Sequence, residues 1–469
     1  MGRNRRKPFI VEKLSITELA DKGKGLGRDS EGRVIFVENA VPGDIVDAIV
    51  KRKKKNLFLG TILKIHQYSP HRREPSCTHF GLCGGCRLQH VSYEQQLAFK
   101  QKDVINAIQR IGQVSVPEIR PILPCKFPFY YRNKLEFSFS SKRWLTREEI
   151  DSGVTNSANV LGFHPQGSFD KVINIDKCLL QYEPSNFIRN TIRHLAIQQG
   201  LTFYDTRQQT GFLRQVMLRI STMGEIMLVL SVHENDPDKI NLLLGELLKR
   251  IPSLTSVYYC INEKSNDFLY DLDMHLFSGQ AYIEDRIGPV VFQIGPKSFF
   301  QTNTKQAEVL YQVVADFADL SGNENVYDLY TGIGSIALYI SRFCRQVVGI
   351  EEIEMAVRDA KANAVRNNIT NTTFYAGDVK DLLNPDFMEK HGRADLLITD
   401  PPRAGMHPKV VKMLLELEVP RLLYVSCKPA TQARDFNLLS SKYEVLKCQP
   451  VDMFPHTHHI ENVALLRLR

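Results

Sequence analysis

Residues 325–335 read Asn-Val-Tyr-Asp-Leu-Tyr-Thr-Gly-Ile-Gly-Ser, a short apolar-rich run that breaks into a turn punctuated by Gly332 and Gly334. A buried strand followed by glycines that let the backbone close on a ligand at the start of a helix is the opening unit of an open α/β sheet. The pattern continues on the C-terminal side. Strands are predicted at 325–329, 346–350, 373–375, 394–399 and 421–425, with helical stretches between them and two further strands at 443–448 and 462–468. Alternating strand and helix predicts a parallel, doubly wound sheet.

Ligands of such sheets bind beyond the carboxyl ends of the strands, so the residue just past each strand carries the information. The glycine turn alone fits dinucleotide enzymes equally well. Glu351 closes the second strand, where a carboxylate can accept from both hydroxyls of a ribose, a group shared by NAD and S-adenosylmethionine. Asp378 follows the third and suits an adenine amino group. The fourth strand separates the two cofactors: Asp400-Pro401-Pro402-Arg403 looks like the active-site turn of Rossmann-like methyltransferases and favours S-adenosylmethionine. Ordinary turn chemistry explains any one of these residues, but not their order along four successive strands.

The fifth strand ends in Val425-Ser426-Cys427-Lys428-Pro429. An isolated cysteine near a strand end is most often a small core hydrophobe. Cys427 instead lies past the carboxyl end beside the Asp-Pro-Pro turn, where Lys428 or the next helix N-terminus would favour the thiolate. Amino methylation by an Asp-Pro-Pro-aromatic turn needs no thiol, and here Arg403 replaces the aromatic residue. A thiol answers a different problem. C5 of uracil is a poor nucleophile, and thiolate addition at C6 turns the ring into an enolate that can attack a methyl sulfonium. A base must then remove the C5 proton. Glu461, in His456-Thr457-His458-His459-Ile460-Glu461 before the last strand, is the candidate; the alternative is a surface carboxylate. The three histidines suggest loop packing and phosphate or base contacts more than a metal.

Toward the N-terminus the chain changes character. Residues 1–66 carry a net charge of +7 out of +8 for the whole chain, which suggests a polyanion partner such as nucleic acid or, more blandly, a solvated basic face. Five or so short strands between 9 and 66 suggest a small barrel of the oligonucleotide-binding type. The run Lys51-Arg52-Lys53-Lys54-Lys55 is predicted as an exposed loop that contacts phosphate. Residues 70–90, rich in Pro, Gly, Cys and His and without periodicity, read as a ligand-bearing loop or a linker. Residues 92–111 show helical spacing through Leu97, Val104, Ile105, Ile108 and Ile111, with Ser92 as N-cap. Residues 129–140 alternate as a half-buried strand, and 212–220 with 225–233 form a strand pair. The expected division is 1–66, a barrel; 67–290, an α+β central domain, its 92–111 helix a candidate to pack on the catalytic part; and 291–469, the Rossmann-like domain. Nine cysteines without a secretory leader argue for reduced thiols used as ligands or nucleophiles. No apolar run reaches a membrane span, and the expected location is the cytoplasm.

At this point the motifs resemble the RNA (uracil-5-)-methyltransferases, most closely the bacterial 23S ribosomal RNA enzymes with an N-terminal TRAM domain, over essentially the whole chain. Ser426-Cys427-Lys428-Pro429-Ala430-Thr431 and the His-Ile-Glu ending at Glu461 look like the nucleophile and base motifs of that family. Phe299-Phe300-Gln301-Thr302-Asn303 looks like its cofactor-contacting segment. The resemblance implies cofactor or substrate contacts for Gln301, Tyr330, Glu351 and Asp400, and Tyr131-Arg132-Asn133-Lys134 is similar to a segment that handles the RNA. Cys77, Cys83 and Cys86, with Gln89 and His90, look like the family's cluster loop, and Cys178 matches its distant fourth ligand. The resemblance therefore implies a [4Fe–4S] cluster, against a four-cysteine zinc site that spacing alone allows. A radical enzyme fits poorly, lacking the Cys-x3-Cys-x2-Cys loop. The implied substrate is uridine 1939 of 23S ribosomal RNA, bound by a monomer, with position 747 or the transfer RNA T-loop as alternatives. A non-catalytic RNA-binding or assembly factor is the alternative of another class.

Overall fold

The computed structural model describes residues 8–54 and 57–469. The basic leader 1–7 and Lys55 lie outside the described residues. The strands Phe9–Ala20, Lys24–Arg28, Val34–Glu38, Ile45–Lys54 and Leu57–Gln67 close into a barrel, the last two exchanging places in the strand order. Alternate residues fill it: Leu14 and Ile16, Ile35 and Val37, Val46, Ala48 and Val50. Gly27 is required where two strands cross closely, since a Cβ there would stand 2.5 Å from the Ser15 carbonyl oxygen. The expected basic loop is corrected in part. Residues 51–54 continue the Ile45–Lys54 strand, with Lys53 opposite Phe58 and Lys54 opposite Leu57, because the partner strand is long enough to pair with them.

The middle of the chain forms a seven-stranded mixed sheet, ordered His275–Gly279, Ser256–Ile261, Ile226–Val232, Leu213–Ile220, Lys134–Lys142, Ser157–Phe163 and Ile173–Asn174. The expected pair is present, with Leu218 opposite Leu228. The half-buried strand begins later than its alternation suggests, at Lys134. Tyr130 sits at φ 54°, a left-handed conformation that an extended run cannot contain. Helices Ser185–Gln198 and Pro237–Arg250 supply Ile188, Ile192, Leu195, Leu243 and Leu247 to the core of this unit.

The C-terminal sheet has eight strands, ordered Thr372–Ala376, Gln346–Glu351, Asn325–Leu329, Leu396–Thr399, Arg421–Ser426, Glu461–Leu468, Tyr443–Val451 and Glu118–Ile119. All seven predicted strands are present. Two residues from the N-terminal side, Glu118 and Ile119, add a parallel edge strand that a two-residue signal cannot announce. The Ile283–Ile287 and Val290–Ile294 hairpin also packs into this core through Ile283, Phe292 and Ile294. Only Glu461–Leu468 runs antiparallel to its neighbours.

The helix Tyr93–Ala107 docks on this sheet. Ser92 caps it by accepting from Gln95 N, as expected. Of the predicted face, Val104 and Ile108 are buried, while Leu97 and Ile105 are only half-buried. Gln96, Lys100, Val104 and Ala107 face inward, and a π-helical turn at Ile108–Gly112 leaves Ile111 exposed. Lys100 Nζ lies 2.5 Å from Asp452 Oδ1 with both side chains fully buried, and it donates to the Phe454 carbonyl at 3.0 Å. Tyr93 Oη donates to the other Asp452 oxygen at 2.8 Å. Removing one partner of a buried pair strands the other charge and costs roughly 3–5 kcal/mol. Lys100→Met should lower the urea midpoint by a corresponding amount, and adding Asp452→Leu should recover part of the loss. An unchanged midpoint in the single variant would show that the pair does not hold the helix in place.

Candidate active site

The topology sets the predicted residues in one row. Leu329 pairs with Ile350 on one side and Thr399 on the other, so Tyr330 stands between Glu351 and Asp400 at the carboxyl edge. Glu351 pairs with Ala376, bringing Asp378 to the next position. On the opposite side Thr399 pairs with Tyr424, and Ser426 pairs with Asn462. One residue further in that antiparallel register, Cys427 stands opposite Glu461. Gln301 is buried on the approach to the Thr304–Ala318 helix, which packs on the strands that carry Cys427 and Glu461.

The glycine turn is braced by the second strand. Tyr330 adopts φ 62° and Gly334 φ 81°. Glu351 accepts from Gly332 N and from Ile353 N, each at 3.0 Å, and so fixes the loop to the strand end. Asp378 caps the short helix Val379–Leu382 through Lys380 N at 3.0 Å and pairs with the Lys380 ammonium, which holds its carboxyl below the usual range. A carboxylate has about four acceptor sites, so both groups retain lone pairs for a ligand.

The chemical end of the site is crowded with acid. Burial first, then the charge of Asp328, raises Asp400; burial and the nearby Glu351 raise Asp328. Glu461, 4% exposed, is raised well above its ordinary value by burial and then by Asp400. Cys427 is pushed up to about 11 by burial, then by Glu461 and Asp400. The cation that opposes this is Arg403, through its charge and a side-chain hydrogen bond to the thiol, rather than the exposed Lys428 expected from sequence. Sequence reasoning registered Arg403 only as a missing aromatic ring. It missed Asp328, whose sole signal was an acid inside an otherwise apolar strand.

The cysteines at 77, 83, 86 and 178 gather elsewhere, around one cavity of about 310 Å³ that Thr457 also lines. Gly85 N donates to Cys83 Sγ at 3.4 Å, and Cys86 bonds to the Gln89 side chain. Burial raises the Cys178 thiol, opposed in part by a backbone hydrogen bond from Leu180 and by the charges of Arg189, which is fully buried, and Arg132. Among the described residues no three His, Cys, Asp or Glu side chains converge on a point that would hold a single metal ion. Nor is any described helix long and apolar enough to cross a membrane.

The two sites share a loop. The His456 carbonyl accepts from Arg87 N and Leu88 N at 2.7 and 3.0 Å, directly after Cys86. Its amide donates to Gln96 Oε1 at 2.9 Å, and its ring packs on Phe129, tilted by 31° with centroids 4.3 Å apart. His456 holds φ 63° and is a packing wedge five residues before Glu461. His459, its neutral form favoured by burial and by His458, stacks on His458 at 4.2 Å.

Comparison with known proteins agrees with this arrangement. Residues 264–469 match the family described as tRNA (Uracil-5-)-methyltransferase, and residues 5–63 match the TRAM domain. An uncharacterized RNA methyltransferase of Bacteroides thetaiotaomicron is 48% identical over 455 residues, 96% of this chain and 100% of that one. One from Porphyromonas gingivalis is 46% identical, covering 97% of this chain and 99% of its own. Among solved structures, the tRNA (uracil-54, C5)-methyltransferase of Pyrococcus abyssi in complex with S-adenosyl-L-homocysteine superimposes with a TM-score of 0.75 at 28% identity, covering 97% of this chain and 100% of that chain. The fold and the strand-end row define an S-adenosylmethionine-dependent methyltransferase that acts on RNA. The chain belongs to the RNA (uracil-5-)-methyltransferase family, with a TRAM domain at its N-terminus.

With a thiol pushed up to about 11, only a small fraction is thiolate near neutrality. Alkylation of Cys427 in the ligand-free protein should therefore accelerate about tenfold per pH unit between 7 and 10. Arg403→Ala removes the group that lowers the thiol and should slow alkylation further. Peptide mass spectrometry after timed iodoacetamide treatment reads both, and a plateau below pH 9 would contradict the assigned environment.

Proposed function

We propose that this protein methylates C5 of a uridine in RNA through a covalent bond between Cys427 and C6 of the base, with Glu461 as the general base. The observation that carries the reading is the cross-strand register that sets Glu461 opposite Cys427 at the carboxyl edge, with Asp400 and Arg403 beside them. Gln301, Tyr330, Glu351, Asp378 and Asp400 would hold S-adenosylmethionine, whose sulfonium supplies the electrophilic methyl group. The fit is electrostatic: three buried carboxyls, Asp328, Asp400 and Glu461, raise one another's or the thiol's proton affinity, and a cationic ligand relieves that.

In the proposed sequence the Cys427 sulfur forms a bond to C6 and the C5–C6 π electrons move onto the O4 enolate. C5 is now the nucleophile. Once C5 bears the methyl group, Glu461 takes the remaining C5 proton, the C5–C6 double bond re-forms and the C6–S bond breaks with its electrons returning to sulfur. Arg403 stabilises the thiolate at both ends of this cycle.

Glu461→Gln keeps size and hydrogen bonding but cannot take the proton. It should accumulate a methylated enzyme–RNA adduct on a denaturing gel, with turnover reduced roughly 10²–10⁴-fold. On 5-fluorouridine RNA the native enzyme should trap and Cys427→Ala should not. An adduct in Cys427→Ala, or normal turnover by Glu461→Gln, would overturn the assignments.

Cys77, Cys83, Cys86 and Cys178 would hold a [4Fe–4S] cluster. The donor chemistry fits: four thiols ring a cavity, yet do not close on one centre as a mononuclear zinc site requires, with all sulfurs about 2.3 Å from one ion. The chemistry above transfers no electrons, so the cluster's part is to fix the loop. Protein purified without oxygen should contain iron and sulfide. Stoichiometric zinc in their place would rule the cluster out.

The target proposed is uridine 1939 of 23S ribosomal RNA, bound by a monomer, on the pairing of a TRAM barrel with the four-cysteine loop. The likeness to the Pyrococcus abyssi enzyme supports a second reading, the transfer RNA T-loop. Mapping 5-methyluridine in RNA from a deletion strain separates these, and position 747, directly.

A further inference from the structure

A second cavity, of about 140 Å³, opens between the central sheet and the start of the Thr304–Ala318 helix, lined by none of the strand-end residues of the row. Phe127, Tyr131, Tyr182, Asn133, Thr222 and Lys305 are among its walls. Phe127 is 45% exposed, so its ring is open to a ligand from outside. The ammonium groups of Lys126 and Lys305 stand 5.6 and 4.8 Å from its ring centre, and Lys305 is 5.6 Å from that of Tyr182. Neither lysine has a carboxylate partner among the described residues. Tyr130 stacks on Tyr182 at 6.4 Å. In the wall, Asn133 is 7% exposed and donates through Nδ2 to the Gln301 carbonyl and to Thr304 Oγ1, while its Oδ1 accepts nothing.

We propose that this cavity binds one unstacked base of the substrate RNA other than the uridine that is methylated, with the adjoining phosphate on Lys126 and Lys305. The proposal rests on the RNA reading above and adds a subsite to it. Exposed aromatic faces flanked by unpaired cations are how proteins hold single-stranded nucleic acid, the ring stacking on the base and the cations tracking the backbone. The cavity has room for one planar ring, which suits a base and not a peptide strand or helix. Its walls also touch the segment that leads to Glu461: Tyr131 Oη donates to the Pro455 carbonyl at 3.0 Å, and Asn303 Nδ2 to the Met453 carbonyl at 2.9 Å. A base seated here therefore belongs to a nucleotide close to the target in the folded RNA.

The test uses full-length protein and substrate RNAs with a single abasic nucleotide at each position around the target uridine. One position should cost roughly 5- to 150-fold in affinity with the native protein. That penalty should vanish in Phe127→Ala and return in Phe127→Trp, with kcat at saturating RNA unchanged and KM raised in the alanine variant. Lys126→Ala and Lys305→Ala should each reduce the salt dependence of binding by about one ion. In a Trp144→Phe background, which removes the chain's single tryptophan, the Phe127→Trp fluorescence should be quenched by intact RNA and not by RNA abasic at that position. Abasic penalties identical in native and Phe127→Ala protein, or equal quenching by both RNAs, would overturn the subsite. Binding is read without methyl transfer, so a failure of the catalytic reading would show separately, as absent turnover with the affinity map intact.

Discussion

Because Glu461–Leu468 runs against its neighbours, its first residue, not its last, lies at the edge where the parallel strands end. Tyr330, Glu351, Asp378, Asp400 and Cys427 arrive at that edge by ending a parallel strand or following its last residue by one or two positions. Glu461 can join them only by reversal. The reversal itself depends on Tyr443–Val451 carrying the chain to the catalytic edge, so that the loop 452–460 has only to turn back rather than cross the sheet. That loop leads directly into Glu461, so everything that fixes its course bears on where the carboxyl stands.

Two unrelated pieces of chain hold it. Asp452 at its start is bound by Lys100 and Tyr93 from the Tyr93–Ala107 helix. His456 at its middle is clasped by the backbone of Arg87 and Leu88 and by Gln96. The cysteine loop and the helix after it are thus parts of the scaffold of the active site, although they lie more than 300 residues away in sequence. A cluster that stiffens the Cys77–Cys86 loop would stiffen the same contacts. Three bulky residues in left-handed backbone conformations, Tyr130, Tyr330 and His456, stand around this region, each costing of order 1–3 kcal/mol. Such conformations persist where the surrounding bonds over-determine them, as the three hydrogen bonds to the His456 backbone do.

The electrostatics of the site follow from the same geometry. Carboxyls at 328, 400 and 461 share a dry space with a thiol and one arginine. In the ligand-free protein burial and mutual repulsion raise the proton affinity of all four acidic groups. A cationic ligand entering that space would favour the charged forms of these groups.

The sequence by itself determined the sheet and most of the row along it. Strand-helix alternation after Asn325 is a local, periodic signal, and Tyr330, Glu351, Asp378, Asp400 and Cys427 each sit at a fixed offset from a strand that local patterning reveals. The barrel was equally legible, because alternation and turn residues recur within short range. Only the tertiary structure decided the rest. Glu118–Ile119 is a strand solely because an edge was open to pair with it. Lys51–Lys54 extend a strand because their partner does, whatever their charge suggests. The inward face of the Tyr93–Ala107 helix is set by Gln96 and Lys100, polar residues that hydrophobic periodicity ranks as outward, because their partners Asp452 and His456 come from the other end of the chain. The cation at the thiol is Arg403 and not the adjacent Lys428 for the same reason: distance in space between groups on different strands, not separation in sequence, sets the strength of a charge's influence.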